Sequence, residues 1–523
     1  MKNLILMLAA LLAVCCAKSG LDPYGGSVSQ TGLDHGMIVL GERLDDPYTV
    51  ENMQASLDEL YPTKAERVVL SATHYYVRFL PNGETQFKRL EALGIELTDH
   101  PLDYSIVKEG DYYHDPSISD GNITWQYAVV PKDFSFPPGI RYEIVDECFF
   151  AEDSQQTKAM TGIDWDAVER NAYVLTGNSG LLSAVTKGKY PDTCPSGRIT
   201  IVDDYDGEVE QGVAGVQVSC NSFVKFSHTY TDKDGNYKMS RSFSTDVRYR
   251  LVFKNEKGFA IGFNLLLVPA SISTLGKNSP VGVSVKVDKS SEEKLFSRCV
   301  VNNAAYEYYE RCSEDGCKIK PPPGNLRIWL FQLLSHSSTP MLQQGTWIDN
   351  SVLKDYLGIY LPLLKLFLPD MMLGLKDRND YASIYNETIH ELSHASHFVQ
   401  AGKTYWESFI KYILVSFVTS GWMVFGNGTE ENHGYCEVAE MWAFYHQTKL
   451  FRDRYRTNAV TFGSSYWFSP QILLKIDQRG IDRFRIFRAL RSEITDVEDF
   501  QSELINLYPE SRSIINQAFD RYE

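Results

Sequence analysis

The sequence contains a segment whose residue types and spacing can hold a metal ion, His390-Glu391-Leu392-Ser393-His394. On a helix, residues four positions apart lie on one face about one turn apart, so both imidazoles can bind one Zn²⁺ ion. The glutamate after the first histidine can reach a water molecule on that ion and take its proton. The spacing therefore predicts a metal site with Glu391 as general base, which is the chemistry that hydrolysis of a peptide bond needs.

The residues around this motif have the pattern of a packed helix from about Asp380 to Ala401. Asp380 or Ser383 can cap its first turn, and Gly402 can adopt the left-handed conformation that ends a helix. Its apolar stripe consists of Ile384, Thr388, Leu392, Ala395 and Val399. A stripe of this kind packs against the core, so we expect both histidines on a helix that is anchored in the protein.

A third protein ligand is expected, because a catalytic zinc ion has three protein ligands and one open position. The candidates are Glu440 and Glu437, which lie one turn apart on a helix predicted to begin near Tyr435. His397 follows the second histidine too closely to join the same ion without strain, so we expect it to support a ligand of the ion or to lie at the surface.

The His-Glu-x-x-His motif is followed downstream by Glu440-Met441-Trp442-Ala443. Together, these two motifs resemble the gluzincin zinc peptidases, a zincin-like family. The resemblance implies one zinc ion held by His390, His394 and Glu440, with Glu391 as the catalytic base. It also implies that the apolar strand before the motif helix, at residues 370–375, pairs with extended substrate. The chain departs from the family at Phe444, where an aspartate that orients a ligand is often found.

A hydrogen-bond donor is also needed for the oxyanion that develops during hydrolysis. Four residues near the third ligand are candidates, and the sequence does not choose among them: His433, Tyr435, Tyr445 and His446. An apolar stretch from Tyr405 to Phe425 is predicted to be a helix that walls the site, and residues 352–368 are predicted to be a buried helix.

The first residues resemble a bacterial lipoprotein signal. A positive start is followed by the apolar run Leu4 to Val14, which is too short to span a bilayer. The lipidated residue is predicted to be Cys16, with Cys15 as the alternative, and the flexible residues 17–35 to be a tether. This predicts an exported protein, lipid-anchored to the bacterial outer membrane on its periplasmic or cell-surface side.

The rest of the sequence predicts a multidomain α+β chain, with three parts after the signal (residues 1–16) and the tether. Residues 36–190 form a mixed α/β accessory domain, loosely similar to regions that act as pro-domains in secreted zinc peptidases. Residues 196–290 resemble the carboxypeptidase regulatory-like family, a transthyretin-like β-sandwich, on the motifs Gly215-Val-Gln-Val218 and Thr231-Asp-Lys-Asp-Gly235-Asn-Tyr237. Residues 300–523 form the mostly helical, zincin-like domain.

Composition narrows the classes of partner. The 523 residues carry a net charge of −16 with no run of lysine or arginine, which argues against a nucleic-acid-binding surface. The expected partner is a protein or peptide substrate, and the sequence does not indicate the oligomeric state. Disulfide pairing of Cys312 with Cys317 or Cys299 is possible in an exported protein.

The alternative function is a non-catalytic surface lipoprotein that binds a protein or glycan partner and has an inactive zincin fold.

Overall fold

The computed structural model describes residues 37–65, 68–110, 112–119, 122–155, 158–182, 194–262, 270–314, 319–332, 335–346, 369–419, 425–463 and 465–520. The chain is a multidomain α+β protein with its helices concentrated towards the C-terminus, which confirms the predicted fold class. The proposed signal, the lipidation site at Cys16 or Cys15, and the predicted helix 352–368 lie outside the described residues. None of the described helices has the length and hydropathy needed to span a membrane.

The N-terminal part combines a two-stranded and a three-stranded antiparallel sheet with short helices. Its strands are β1 (Val39–Arg43), β2 (His74–Leu80), β3 (Tyr104–Lys108), β4 (Gln126–Pro131) and β5 (Arg141–Cys148). Its helices are α1 (Val50–Leu60), α2 (Pro62–Ala65), α3 (Glu84–Glu91) and α4 (Trp165–Leu175). Strand β2 is central, between β4 and β5, and β1 pairs with β3.

The central part is built from short strands, as its alternating apolar residues predict. They are β6 (Ser196–Asp203), β7 (Val209–Gly212), β8 (Val216–Ser222), β9 (Lys225–Tyr230), β10 (Asn236–Lys238), β11 (Val247–Asn255), β12 (Ala260–Gly262), β13 (Ile272–Asn278) and β14 (Val285–Val287). Strand β6 pairs with β7, β10 and β14, whereas β8, β9, β12 and β13 belong to the sheet that contains β11.

The C-terminal part begins with a long helix and adds two parallel strands to the central sheet. Its strands are β15 (Arg327–Phe331) and β16 (Met371–Gly374). Its helices are α5 (Glu293–Glu314), α6 (Tyr381–Ala401), α7 (Lys403–Thr419), α8 (His433–Tyr455), α9 (Gln471–Gln478), α10 (Arg483–Arg488), α11 (Val497–Leu507) and α12 (Arg512–Phe519). The order β16-β15-β12-β11-β8-β9 shows that the central and C-terminal parts share one sheet.

Buried ion pairs connect the parts. In the N-terminal part, Glu169 accepts hydrogen bonds from Lys225 (2.9 Å) and Ser244 (2.7 Å), both of which belong to the central part. At the other end, Arg454 of α8 donates to Asp203 of β6 at 2.9 Å and also pairs with Glu307 of α5. Charges that are buried and paired in this way resist separation, because breaking one pair leaves an uncompensated charge.

Three local predictions from the sequence are wrong: a strand over residues 94–98, a hairpin at the Asp234-Gly235 turn signal, and a Cys299–Cys312 disulfide. Residues 94–98 form no strand, and only Thr98 makes an isolated bridge, to Tyr127. The turn at Asp234-Gly235 exists, but it does not close a hairpin, since β10 pairs with β6 instead of β9. The predicted Cys299–Cys312 disulfide is also not formed, because Cys299 is a buried free thiol. The alternative partner of Cys312, Cys317, lies outside the described residues.

Candidate metal centre

Helix α6 carries the His-Glu-x-x-His motif, and both of its ends are fixed as its sequence predicts. The Asp380 carboxylate accepts a hydrogen bond from the Ser383 amide at 2.8 Å, which caps the first turn. Gly402 ends the helix with a φ of 88°, a conformation that costs glycine little. The two histidines therefore lie in the middle of a helix with defined ends, each pointing its imidazole towards helix α8.

Helix α8 supplies the facing carboxylate. Its Trp442 side chain donates a hydrogen bond to the Ser393 carbonyl of α6 at 3.1 Å, which fixes the two helices against each other. Glu440, two positions before this tryptophan, points at the imidazole pair. All three side chains are more than 90% buried. The predicted preferred ligand thus lies beside both histidines.

The three groups surround a single point. His390 Nε2 lies 3.2 Å from His394 Nε2 and 3.4 Å from Glu440 Oε2, and His394 Nε2 lies 3.3 Å from Glu440 Oε1. Ligands about 2.05 Å from a tetrahedral centre are about 3.3 Å from one another. The separations therefore fit three ligands of one small divalent ion, and two imidazoles with a carboxylate are a donor set that zinc and other first-row metals accept.

Two buried atoms of this cluster make no hydrogen bond within the described part of the chain. They are Glu440 Oε2 and His394 Nδ1. Burial lowers the pKa of His390, but the facing carboxylate of Glu440 outweighs it and raises the pKa to about 9. Burial raises the pKa of Glu440, but the facing histidines lower it to about 2. The centre of the cluster is thus a place where the protein stabilises a positive charge.

Gln447 orients the first histidine. His390 Nδ1 lies 2.9 Å from Gln447 Oε1, and because a carbonyl oxygen only accepts, Nδ1 carries the proton. The neutral imidazole then presents the lone pair of Nε2 to the centre of the cluster, the tautomer that binds a metal. Gln447 follows Glu440 by seven residues, two turns along the same face of α8.

Glu391 is held by a threonine from a different segment. Thr339 Oγ1 lies 2.6 Å from Glu391 Oε2, and Trp406 donates its indole N–H to the Thr339 carbonyl at 2.8 Å. Both Glu391 and Thr339 are buried. Burial raises the pKa of Glu391 to about 8, against the opposing charge of His390.

Aromatic rings surround the cluster. The Phe444 ring lies 4.3 Å from the His390 ring, between centroids, and stacks on Tyr466 at 4.8 Å. On the other side, Trp406 and Phe409 of α7 lie 5.9 and 5.8 Å from the His394 ring. Helix α7 therefore does form a wall of the site. Low-polarity surroundings strengthen the attraction between an ion and its ligands.

The alternative ligand, Glu437, lies away from the imidazole pair. Burial raises its pKa to about 7, and the charges of Glu498 and Asp496 add to the rise. Those two residues belong to helix α11 and to its cap, so Glu437 faces α11. His397 is likewise outside the cluster: it is fully buried beside Tyr405, and neither ring nitrogen has a hydrogen-bond partner among the described residues.

The four oxyanion candidates lie in two groups, neither of which bonds to the cluster. At the start of α8, His433 bonds to the Glu430 carbonyl at 3.0 Å, and the carbonyl of Tyr435 accepts from Tyr405 at 3.3 Å. Farther along, His446 lies 3.0 Å from the Ser393 hydroxyl, on another side of α6, and Tyr445 is fully buried against Trp442. The structure therefore does not bring these four residues together with Glu440.

Sequence reasoning missed three residues of the site. Gln447 could have been found, because its spacing from Glu440 places both on one helical face. Thr339 gave no signal, since it lies 52 positions before Glu391. Tyr466 also gave none, yet its ring stacks on Phe444, and burial raises its pKa, with the charges of Glu440 and Glu387 adding to the rise.

Strand β16 is at the end of its sheet, as predicted for a strand that receives substrate. Its inner edge pairs with β15, whereas Met372 exchanges two hydrogen bonds with Ser338, of 2.8 and 2.9 Å. The outer edge is therefore occupied at Met372 by a segment of the same chain, the one that carries Thr339.

No protein-family model matches the sequence, and comparison with curated proteins finds no significant match.

Proposed function

We propose that the chain is a zinc-dependent peptidase in which His390, His394 and Glu440 hold one ion. The observation that carries this proposal is the set of three separations, 3.2 to 3.4 Å, between buried donor atoms on two packed helices. Buried unpaired polar atoms are costly, so an ion at this point would stabilise the fold as well as act.

The chemistry divides between the ion and the chain. A zinc ion held by these three residues would supply a Lewis acid, which lowers the pKa of a coordinated water to about 7. Glu391 accepts the proton at a carboxylate oxygen and returns it to the amine that leaves. Thr339 holds the other carboxylate oxygen, and Gln447 holds His390 in the tautomer that can ligate. The rings of Phe444 and Trp406 exclude bulk water from the ligands.

We further propose that the substrate is a protein or peptide and that the chain is exported and lipid-anchored through Cys16 or Cys15. Support for the anchor comes from the sequence of the first 16 residues alone. The N-terminal part is bonded to the central part at Glu169, and no bond from it to α6 or α8 occurs among the described residues. It acts as a docked accessory unit in this proposal.

The test combines metal content with hydrolysis. In the full chain, Glu391→Gln should retain its ion, because Glu391 is not a ligand, and should hydrolyse an unfolded protein substrate at least about 100-fold more slowly. The matched control is Glu407→Gln, which removes a partly buried carboxylate from α7 that pairs with Lys403. This control should behave like the parent.

Two results contradict the proposal. Equal hydrolysis by the parent and Glu391→Gln would remove the assigned base. If the parent binds one ion per chain but hydrolyses none of a diverse set of unfolded proteins or peptides, the alternative function as a non-catalytic binding protein is favoured instead.

A further inference from the structure

A group of acidic side chains, two of them buried, lies in the N-terminal part around a cavity of about 320 Å³. It is lined by Arg43, Leu44, Asp45, Asp46, Tyr76, Asp103 and Asp146. These residues come from the end of β1, the loop before α1, strand β2, the loop before β3, and strand β5. The volume lies within the range of small-ligand sites, about 300 to 1,000 Å³. The metal centre and its proposed reaction make no use of this cavity.

Asp46 indicates that the cavity takes a ligand. Its side chain is 5% exposed, and its Oδ1 accepts a hydrogen bond from the Tyr48 amide at 2.9 Å. Its Oδ2 is buried and has no hydrogen-bond partner among the described residues. A buried carboxylate oxygen that lacks a donor destabilises the fold, so an N–H group delivered from outside would compensate for it.

The charges around the cavity do not balance. Among the described lining residues, four carboxylates face one guanidinium, that of Arg43, whose Nε donates to Asp103 Oδ2 at 2.6 Å. The Arg43 side chain is 60% exposed, which places it at the rim. Burial raises the pKa of Asp46 to about 8, and the charges of Asp103 and Asp146 add to the rise. A further cation would lower this repulsion.

The spacing of the acids distinguishes an organic cation from a metal ion. Within the described ranges, only His390, His394 and Glu440 place three ligand atoms close enough for one ion. The aspartates around the cavity are therefore too far apart to bind a metal together. An ammonium or guanidinium group carries several N–H donors on a larger body and can bond to separated carboxylates.

We propose that this cavity binds an organic cation through its ammonium or guanidinium group. Asp46 accepts its charge-assisted hydrogen bond at Oδ2, while Asp103 and Asp146 supply the surrounding negative field. The site is separate from the metal centre, so it stands whether or not the chain hydrolyses peptides.

Isothermal titration calorimetry on the full chain tests this with Nα-acetyl-arginine methylamide and Nα-acetyl-lysine methylamide. Saturable binding is expected for at least one of them, and Asp46→Asn should weaken it at least about tenfold by removing the charged acceptor. Arg43→Gln should tighten binding, because it removes the internal cation that competes. The matched control is Asp58→Asn, an exposed acid on α1 outside the cavity, and should bind like the parent.

Asparagine at position 46 keeps the oxygen that accepts from the Tyr48 amide, so this variant should fold. If it does not, Asp146→Asn at the half-buried wall replaces it, with the same expected loss. Absence of saturable binding, equal affinity in the parent and the aspartate variants, or displacement of both ligands by stoichiometric Ca²⁺ would overturn the proposal. Agmatine binding as tightly as the arginine derivative would assign the site to a free amine, and much weaker agmatine binding would assign it to a basic side chain of a polypeptide.

Discussion

The metal cluster and the acidic cavity both contain buried carboxylates, but they differ in how those carboxylates are compensated. In the cluster, two imidazoles and one carboxylate lie within 3.4 Å of one another and offset each other's charge. In the cavity, four aspartates surround about 320 Å³ and share one arginine. Two packed helices bring donor atoms to a point, whereas strand ends and loops surround a volume. The first arrangement suits an ion, and the second suits a larger cation.

Among the substitutions that test this difference between the two sites, the largest effect is expected at Gln447. Gln447→Leu removes the acceptor that fixes the His390 tautomer, and metal affinity should fall about 10- to 100-fold. Competition with a chromophoric chelator measures this affinity. Gln447→Glu retains an acceptor and should bind metal at least as tightly as the parent. Equal affinity in the parent and Gln447→Leu would show that Gln447 does not orient the ligand.

A smaller effect is expected at Thr339. Thr339→Val keeps the shape of the side chain but removes the hydroxyl that holds Glu391, so kcat on a peptide substrate should fall about tenfold. Metal content should not change, because Thr339 contacts the base and not a ligand. Thr339→Ser restores the hydroxyl and should recover most of the rate. A serine variant as slow as the valine variant would assign Thr339 a packing role only.

A pH-dependent stability difference is expected at the cavity. The pKa of Asp46 is about 8 in the folded protein against 3.8 for an ordinary aspartate. The folded state therefore binds a proton that the unfolded state has lost, and stability falls as pH rises through this window. The Tm of Asp46→Asn should exceed that of the parent by a margin that grows from pH 5 to pH 8. A constant margin would show that Asp46 does not titrate in this way.

Sequence reasoning identified the cluster because its geometry is largely local. The two histidines are one turn apart on α6, and the caps at Asp380 and Gly402 set the bounds of that helix correctly. Glu440 lies on a second helix, but the Glu-x-x-Ala pattern indicated it as the third ligand. The same reasoning placed the apolar wall of α7 near the site, since a long apolar stretch that separates two site helices must pack beside them.

The residues that sequence reasoning missed are distant from the motif in the chain, and no local pattern indicates their role. Thr339 reaches Glu391 only because its segment pairs with β16 at Met372. The cavity aspartates come from separate segments, and nothing in their spacing predicts that they meet. Strand pairing failed for a related reason: a turn at Gly235 fixes a bend, but tertiary packing decided that β10 pairs with β6.

Whether Glu440 is the third metal ligand can be tested directly by mass spectrometry. The metal content is measured for the parent, Glu440→Ala and Glu437→Ala. The two substitutions remove the same group from α8 one turn apart, but only Glu440 faces the imidazoles. We expect about one zinc per chain in the parent and in Glu437→Ala, and less than about 0.1 in Glu440→Ala. A full complement of zinc in Glu440→Ala, or its loss in Glu437→Ala, would show that Glu440 is not the third ligand.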